Sequence, residues 1–408
     1  MDSLIQEIIK REVTRQSETI NLIASENYVS DEILQVLGSA LTNKYSEGYP
    51  SKRYYPGNAN YDEIELICQE RALKLFKLDP NEWSCNVQPL SGSPANIAVY
   101  IALLQPSDTI MSLDLAAGGH LSHGHKVSAS GKLWRVVNYT VNQDGIIDYN
   151  EVEKIALRER PKIIVSGFTA YPRIVKFNLF GDIAKSVGAY HLADISHIAG
   201  LVAAGFHPSP FPHADVVMTT THKTLRGPRG ALIFSRKSIS PLIDRAVFPG
   251  LQGGPHNHVT AAKAVMLNEA LSDDFIKYQG QIIKNAFYLS TELTELGFKL
   301  STNGTDTHLM LIDVTPLRVD GKLAEQMLEL VNITANRNSL AHDEKPLKPS
   351  GIRLGTPAVT TRGMKEPEMK LIAQFLHRLF VKKESCDTLK QDVVWLAKKF
   401  NETREQKV

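Results

Sequence analysis

Lys223 stands in TTTHKTLRGPRG, flanked by hydroxyl side chains and preceded by His222. An amine at the end of an apolar strand loses hydration, so its pKa falls. The neutral form can then condense with an aldehyde to give a Schiff base. A surface lysine at a strand end would leave the same trace. Asp194, in HLADISHIAG, presents a similar choice. A carboxylate buried there needs a cation or several donors. A protonated pyridine nitrogen would satisfy it, and so would capping of the following helix. His197 follows closely enough to reach the same ring.

Ser91, Gly92 and Ser93 lead directly into the helical pattern SPANIAVYIALL. Two hydroxyls and a glycine before a helix form either a simple cap or a phosphate cradle, with backbone N–H groups aimed at the anion. Pro94 suits the first helical turn. His120 follows two glycines in AAGGHLSHGHK, with His123 and His125 close behind, and His256-x-His258 recurs later. Neither set is completed by a cysteine or carboxylate, so a single imidazole stacked on a flat ring accounts for His120 without a metal. Glu47, between Tyr45 and Tyr55, is either a general acid or base oriented by phenols or a solvated surface group. Arg353, alone in the apolar run SGIRLG, suits a bidentate grip on a carboxylate.

These residues need a scaffold. KIIVSGF, AYHLADIS, ADVVMTTTHK and GALIFS are short apolar runs ending in small or polar residues, and the helical stretch FNLFGDIAKSVG separates the first two. Such alternation predicts an α/β fold with a mostly parallel sheet, whose ligands bind beyond the carboxyl ends of the strands. Thr169, Asp194, His197, His222 and Lys223 would fall there. A long helical pattern starts near Val259 and runs through 284–296. Strands are expected at 308–314 and in GIRLG, with a helix over 322–331 between them. The expected organisation is a helical arm over 1–20, a large domain over 21–265 and a smaller α+β domain over 266–408.

The balance of 46 Lys and Arg against 44 Asp and Glu gives a formal charge of +2, which offers no electrostatic footprint for nucleic acid. No apolar run approaches the ~18 residues of a spanning helix. The charged start lacks the apolar stretch of a secretory signal, and three cysteines at unrelated spacings suggest free thiols. A soluble cytoplasmic protein is expected.

Taken together, LIASEN, TNKYSEGYPSKRYY, NVQPLSGSPAN, GGHLSHG, GAYHLADISHIAGLVAAG, TTTHKTLRGPRG, FPGLQGGP, GTDTHLMLIDV and SGIRLGTPAVTTRG resemble the serine hydroxymethyltransferase family in order and spacing. The resemblance covers about residues 20–365. It implies a pyridoxal-phosphate enzyme of fold type I, with a seven-stranded sheet in the large domain. Lys223 would carry the cofactor covalently, Asp194 would pair with its ring nitrogen, and His120 would stack on its face. Thr169 would bond its phenolic oxygen. Ser91, Gly92, Ser93 and His222 would hold its phosphate, joined by Tyr45 and Gly254 of a neighbouring subunit in an obligate homodimer or a tetramer.

By the same resemblance, Arg353 would clamp the amino-acid carboxylate, with Ser25, His197 and Tyr55 around the substrate and Thr220 nearby. Glu47 would manage a proton on the serine hydroxyl or on the folate-bound intermediate. Tetrahydrofolate, the cosubstrate, would lie against Glu47, Tyr54, Leu115, Gly119, His120, Leu121 and Asn338. The implied reaction interconverts serine and glycine with one-carbon transfer to tetrahydrofolate. Departures from the family pattern include Pro94 for Gln, Thr169 for Ser, AAGGH for S-H-G-G-H, RYYPGNANYDEIE for R-Y-Y-G-G-C-E-Y, and a shorter loop with Leu347 in place of Phe. Rival readings are a folate-independent aldolase for β-hydroxy amino acids, an α-methylserine transferase, and a cofactor-binding scaffold subunit.

Overall fold

The computed structural model describes residues 2–343 and 348–401, so Leu347 lies outside the described residues. Seven strands build the main sheet: β1 (Trp83–Asn86), β2 (Thr109–Leu113), β3 (Arg135–Tyr139), β4 (Ile163–Gly167), β5 (Tyr190–Asp194), β6 (Val216–Thr220) and β7 (Ala231–Arg236). Their spatial order is β1-β7-β6-β5-β4-β2-β3. β7 runs antiparallel to both its neighbours, and the remaining pairings are parallel. Strands β2, β4 and β6 are buried along their whole length, as expected for a sheet covered on both faces. The fold is therefore the predicted α/β architecture with a mostly parallel seven-stranded sheet.

The parallel strands all point their carboxyl ends toward one edge. Asp194 and Thr220 are the last residues of β5 and β6, so the sheet itself delivers them there. Beside them begins α2 (Gly92–Leu103), whose amino end faces the same edge. The predicted long helix after Val259 is two helices, α3 (Asn257–Ala270) and α4 (Asp273–Glu295). The break comes at Leu271–Ser272, where the Ser272 hydroxyl accepts from the Phe275 N–H and caps the second helix. Helical spacing of the apolar residues reads through such a break, because Leu267, Leu271 and Phe275 keep that spacing across it.

A second sheet of four strands includes Leu309–Asp313, Asn336–Asn338 and Gly351–Gly355. Its core gathers Leu289, Met310, Leu328, Leu354, Ile372 and Leu396 with Ile20 and Leu22 from near the chain start. Ile20–Asn21 pairs in parallel with Ile333–Thr334, so the segment that carries Ser25 is anchored to this smaller body. Ahead of it, α1 (Ser3–Ser17) leaves Leu4, Ile5, Ile8 and Ile9 exposed.

Candidate active site

A cavity of about 320 Å³, open to solvent, lies at the carboxyl edge of the main sheet. Its lining brings together Ser25, Ser91, Gly92, Ser93, His120, Thr169, Asp194, His197, Thr220, His222, Lys223 and Arg353. Their positions in the chain are far apart: the main sheet edge and the amino end of α2 supply most of them, and Ser25 and Arg353 come from the smaller body.

Three contacts hold the Asp194 carboxylate. His123 Nε2 lies 2.8 Å from Oδ2, Asn96 Nδ2 donates to the same oxygen at 3.0 Å, and the Ser196 N–H donates to Oδ1 at 3.0 Å. Burial alone would raise its pKa, but these contacts, led by His123, overturn that and hold the carboxyl well below its usual range. The network continues: Asn96 also donates to Ser122 Oγ at 2.9 Å, which lies 2.7 Å from His120 Nδ1. The Ser122 N–H donates to that same Nδ1 at 3.1 Å, so the proton of neutral His120 sits on Nε2. Burial and neighbouring His123 lower the pKa of His120 to about 4, leaving an uncharged ring.

Lys223 is 9% exposed. Burial lowers its pKa to about 8, with Asp194 opposing the shift and Arg353 and Arg229 reinforcing it. Arg353 is 4% exposed and donates to Asn336 Oδ1 at 3.0 Å, to the Thr169 carbonyl at 2.7 Å and to Ser25 Oγ at 3.4 Å. Among the described residues no carboxylate lies within ion-pair distance of it, a costly state for a buried guanidinium unless a ligand completes it. His197 Nδ1 lies 3.2 Å from Nε2 of fully buried His308, and the two rings stack.

The phosphate-cradle residues have spare bonding capacity. Ser91 occupies the N-cap of α2, yet its side chain makes no capping bond. A methyl group on Gly92 would come within 2.7 Å of Thr220 Cγ2, so only glycine allows this turn to sit against β6. Among the described residues, Thr220 Oγ1, His197 Nε2 and His222 Nδ1 are buried without a hydrogen-bond partner. Arg229 adds a cation to this side of the cavity.

Tyr45, Glu47, Tyr54, Tyr55 and Gly254 are not among the lining residues of the same chain's cavity. They form a separate surface patch. A methyl on Gly254 would lie 3.3 Å from the Tyr45 ring and 3.5 Å from Glu47 Cγ, and the Tyr45 and Tyr55 rings are 5.7 Å apart. Arg53 fixes the patch through ion pairs with Asp62 at 2.7 Å and Glu65 at 2.6 Å and through bonds to the Ser46 and Gly48 carbonyls. Tyr54 is 71% exposed. Leu115, Gly119 and Leu121 surround His120 in the chain without lining the cavity, and the side-chain amide of Asn338 bonds the Ser339 carbonyl at 2.6 Å.

Several functional residues escape sequence reasoning. His123 raised only a metal question, whereas the fold gives it to Asp194. Asn96, Ser122, Ser196, Asn336 and His308 are polar residues whose roles depend on which strand end they meet. The only sequence hint for Asn96 and Ser122 is their place beside the SGSP and GGH motifs.

Residues 1–376 match the family described as serine hydroxymethyltransferase. Similar curated proteins carrying that name include one from Acidothermus cellulolyticus, 54% identical over 377 residues, which cover 92% of this chain and 87% of that one. Another, from Desulfotalea psychrophila, is 52% identical over 379 residues, 93% and 88% of the two chains. A third, from Desulforapulum autotrophicum, is 50% identical over 402 residues, 98% and 96%. A family match over residues 1–376 and relatives 50–54% identical over most of both chains show that the chain belongs to the serine hydroxymethyltransferase family.

Proposed function

We propose that this cavity transfers a hydroxymethyl group between serine and glycine, with tetrahydrofolate as the carrier. The observation that carries the proposal is the convergence of a low-pKa lysine, an ionised aspartate and an arginine without a carboxylate partner in one cavity. Pyridoxal 5'-phosphate fits the unused groups. The Ser91–Ser93 turn, the amino end of α2 and unpartnered His222 Nδ1 match a phosphate, and Asp194 matches a protonated ring nitrogen. When bound, the cofactor supplies an aldehyde for amines and an electron-withdrawing ring that weakens bonds at the substrate Cα.

The chain's own groups do the rest. Lys223, with a pKa of about 8, has an accessible neutral amine near physiological pH. Asp194, kept ionised, holds a proton on the ring nitrogen through charge pairing. Uncharged His120 offers a flat face without competing for that charge. Arg353 and Ser25 bind the amino-acid carboxylate and so orient the remaining bonds at Cα. Glu47 manages the proton of the serine hydroxyl or of the folate adduct, and Tyr54, Leu115, Gly119, Leu121 and Asn338 contact the folate. Glu47, Tyr45, Tyr54, Tyr55 and Gly254 reach the cavity from the second copy of a homodimer, which explains why they cluster away from it in their own chain. Among the described residues no helix is long and apolar enough to cross a membrane, and a cytoplasmic location suits free Cys68, Cys85 and Cys386.

Absorbance spectroscopy tests the proposal. Glycine should shift the cofactor band, and tetrahydrofolate added next should produce a strong new long-wavelength band. A glycine response that folate leaves unchanged would favour a folate-independent aldolase and overturn the transferase assignment.

A further inference from the structure

A buried cation lies behind the phosphate turn and takes no part in the chemistry above. Lys263, in the middle of α3, is 1% exposed. Its ammonium donates to the carbonyls of Val87 at 2.7 Å, Pro89 at 3.0 Å and Ala231 at 3.0 Å. Three donors meet three acceptors, which saturates the group. Among the described residues no carboxylate forms an ion pair with it. The thiols of Cys68 and Cys85 are buried in the same core, and burial pushes their pKa values up, so neither supplies a counter-charge. An apolar side chain would fill this helix position without any desolvation penalty, so the ammonium requires a reason.

The three carbonyls supply one. Val87 and Pro89 belong to the short segment joining β1 to Ser91–Gly92–Ser93, and Ala231 opens β7 directly after the loop carrying His222, Lys223 and Arg229. The Ala231 N–H also donates to the Pro89 carbonyl at 3.3 Å. One side chain thus ties together both rims of the cradle. Gly230 makes room for it: a methyl there would lie 2.5 Å from Lys263 Cε and 3.1 Å from Nζ.

We propose that Lys263 is a positioning residue for the cofactor's phosphate, holding the segments before Ser91 and after Gly230 so that the Gly92 and Ser93 N–H groups and His222 converge on one anion. Burial lowers the Lys263 pKa to about 8, so the positioning rests on its three hydrogen bonds and not on a fixed charge. The proposal rests on the pyridoxal-phosphate reading of the cavity.

The test measures affinity of the cofactor-stripped full-length protein for pyridoxal 5'-phosphate and for pyridoxal, which lacks the phosphate. Hydrogen bonds from a charged donor justify an expected loss of about 10- to 100-fold for the phosphate ester in Lys263→Met, against less than about threefold for pyridoxal. Gly230→Ala, which keeps every charge but displaces the ammonium, should give a smaller loss with the same selectivity. Equal losses for both ligands, or no loss, would overturn the assignment. So would failure of both variants to fold, because Lys263 would then be a framework residue only. Wild-type protein that binds pyridoxal as tightly as its phosphate ester would instead sink the underlying reading of the cradle.

Discussion

His123 Nε2 donates to Asp194 Oδ2 across 2.8 Å between two side chains that are almost wholly buried, so the imidazole helps to keep that carboxylate ionised. Asp194→Asn removes the charge outright. At about 3–5 kcal/mol for a broken buried pair, turnover should fall roughly 10²- to 10⁴-fold. His123→Leu leaves the carboxylate with Asn96 and Ser196 and should cost about tenfold, with a changed pH dependence of the bound-cofactor spectrum. Wild-type turnover and an unchanged spectrum in His123→Leu across pH 6–9 would show that Asp194 needs no such support.

Lys223 sets a pH limit on cofactor uptake. Only the neutral amine attacks an aldehyde, and burial places its pKa at about 8. The rate at which stripped protein takes up pyridoxal 5'-phosphate should rise with pH toward about 8 and level off above it. Stopped-flow absorbance between pH 6.5 and 9 measures this, and a flat profile would contradict the shifted lysine. Lys223→Ala should show no turnover.

Arg353 is held by Asn336, Ser25 and the Thr169 carbonyl, none of them charged, so its own charge is free for a ligand. Replacing it with lysine keeps the charge but loses the planar fork. The KM for serine should rise about 10- to 100-fold in Arg353→Lys, with a smaller effect on kcat. If KM stays constant while kcat falls, the arginine acts in the chemical step and not in carboxylate binding.

The residues that reasoning from the chain could reach are those with a recurrent local signal. Lys223, Asp194 and Ser91–Ser93 each end an apolar run or open a helix, so strand and helix periodicity places them before any coordinates are known. His308 shows why others stay hidden. It precedes a strand of the small sheet, and only the approach of the two bodies stacks it on His197. Lys263 is hidden differently, since its partners are backbone carbonyls, which carry no sequence identity. The break between α3 and α4 depends on the Ser272 cap and the two aspartates after it, while apolar residues keep helical spacing on both sides.

Buried imidazoles make the fold sensitive to acid. Burial lowers His191 to about 4 and His308 to about 3 from an ordinary 6.5, and it also lowers His197 strongly. Below about pH 6.5 the unfolded chain binds more protons at these positions than the native protein does. Stability therefore rises with pH through that window and is lost as pH falls from about 6.5 toward 4. Thermal midpoints of the stripped protein should drop across this range. His191→Asn, outside the residues that line the cavity but bonded to Ser166 and the His213 carbonyl, should flatten the slope. A midpoint independent of pH between 6.5 and 4.5 would contradict the neutral assignments.

Glu47 provides the sharpest test of whether two copies share each cavity. Glu47→Gln alone should keep the bound-cofactor spectrum and lose folate-dependent transfer, since an amide cannot exchange the proton. Lys223→Ala alone should lose all turnover. If Glu47 serves the cavity of the other copy, a mixed dimer of these variants contains one site with both defects and one fully native site. Random mixing makes half the dimers hybrid, so activity should return to about a quarter of the wild-type level. If Glu47 serves its own chain's cavity, every site in every dimer carries one defect and nothing returns. Mixing the two inactive proteins under exchange conditions and assaying transfer separates these outcomes. The geometry favours recovery, because Glu47 packs beside Gly253 and Gly254 and not among the groups that line its own cavity.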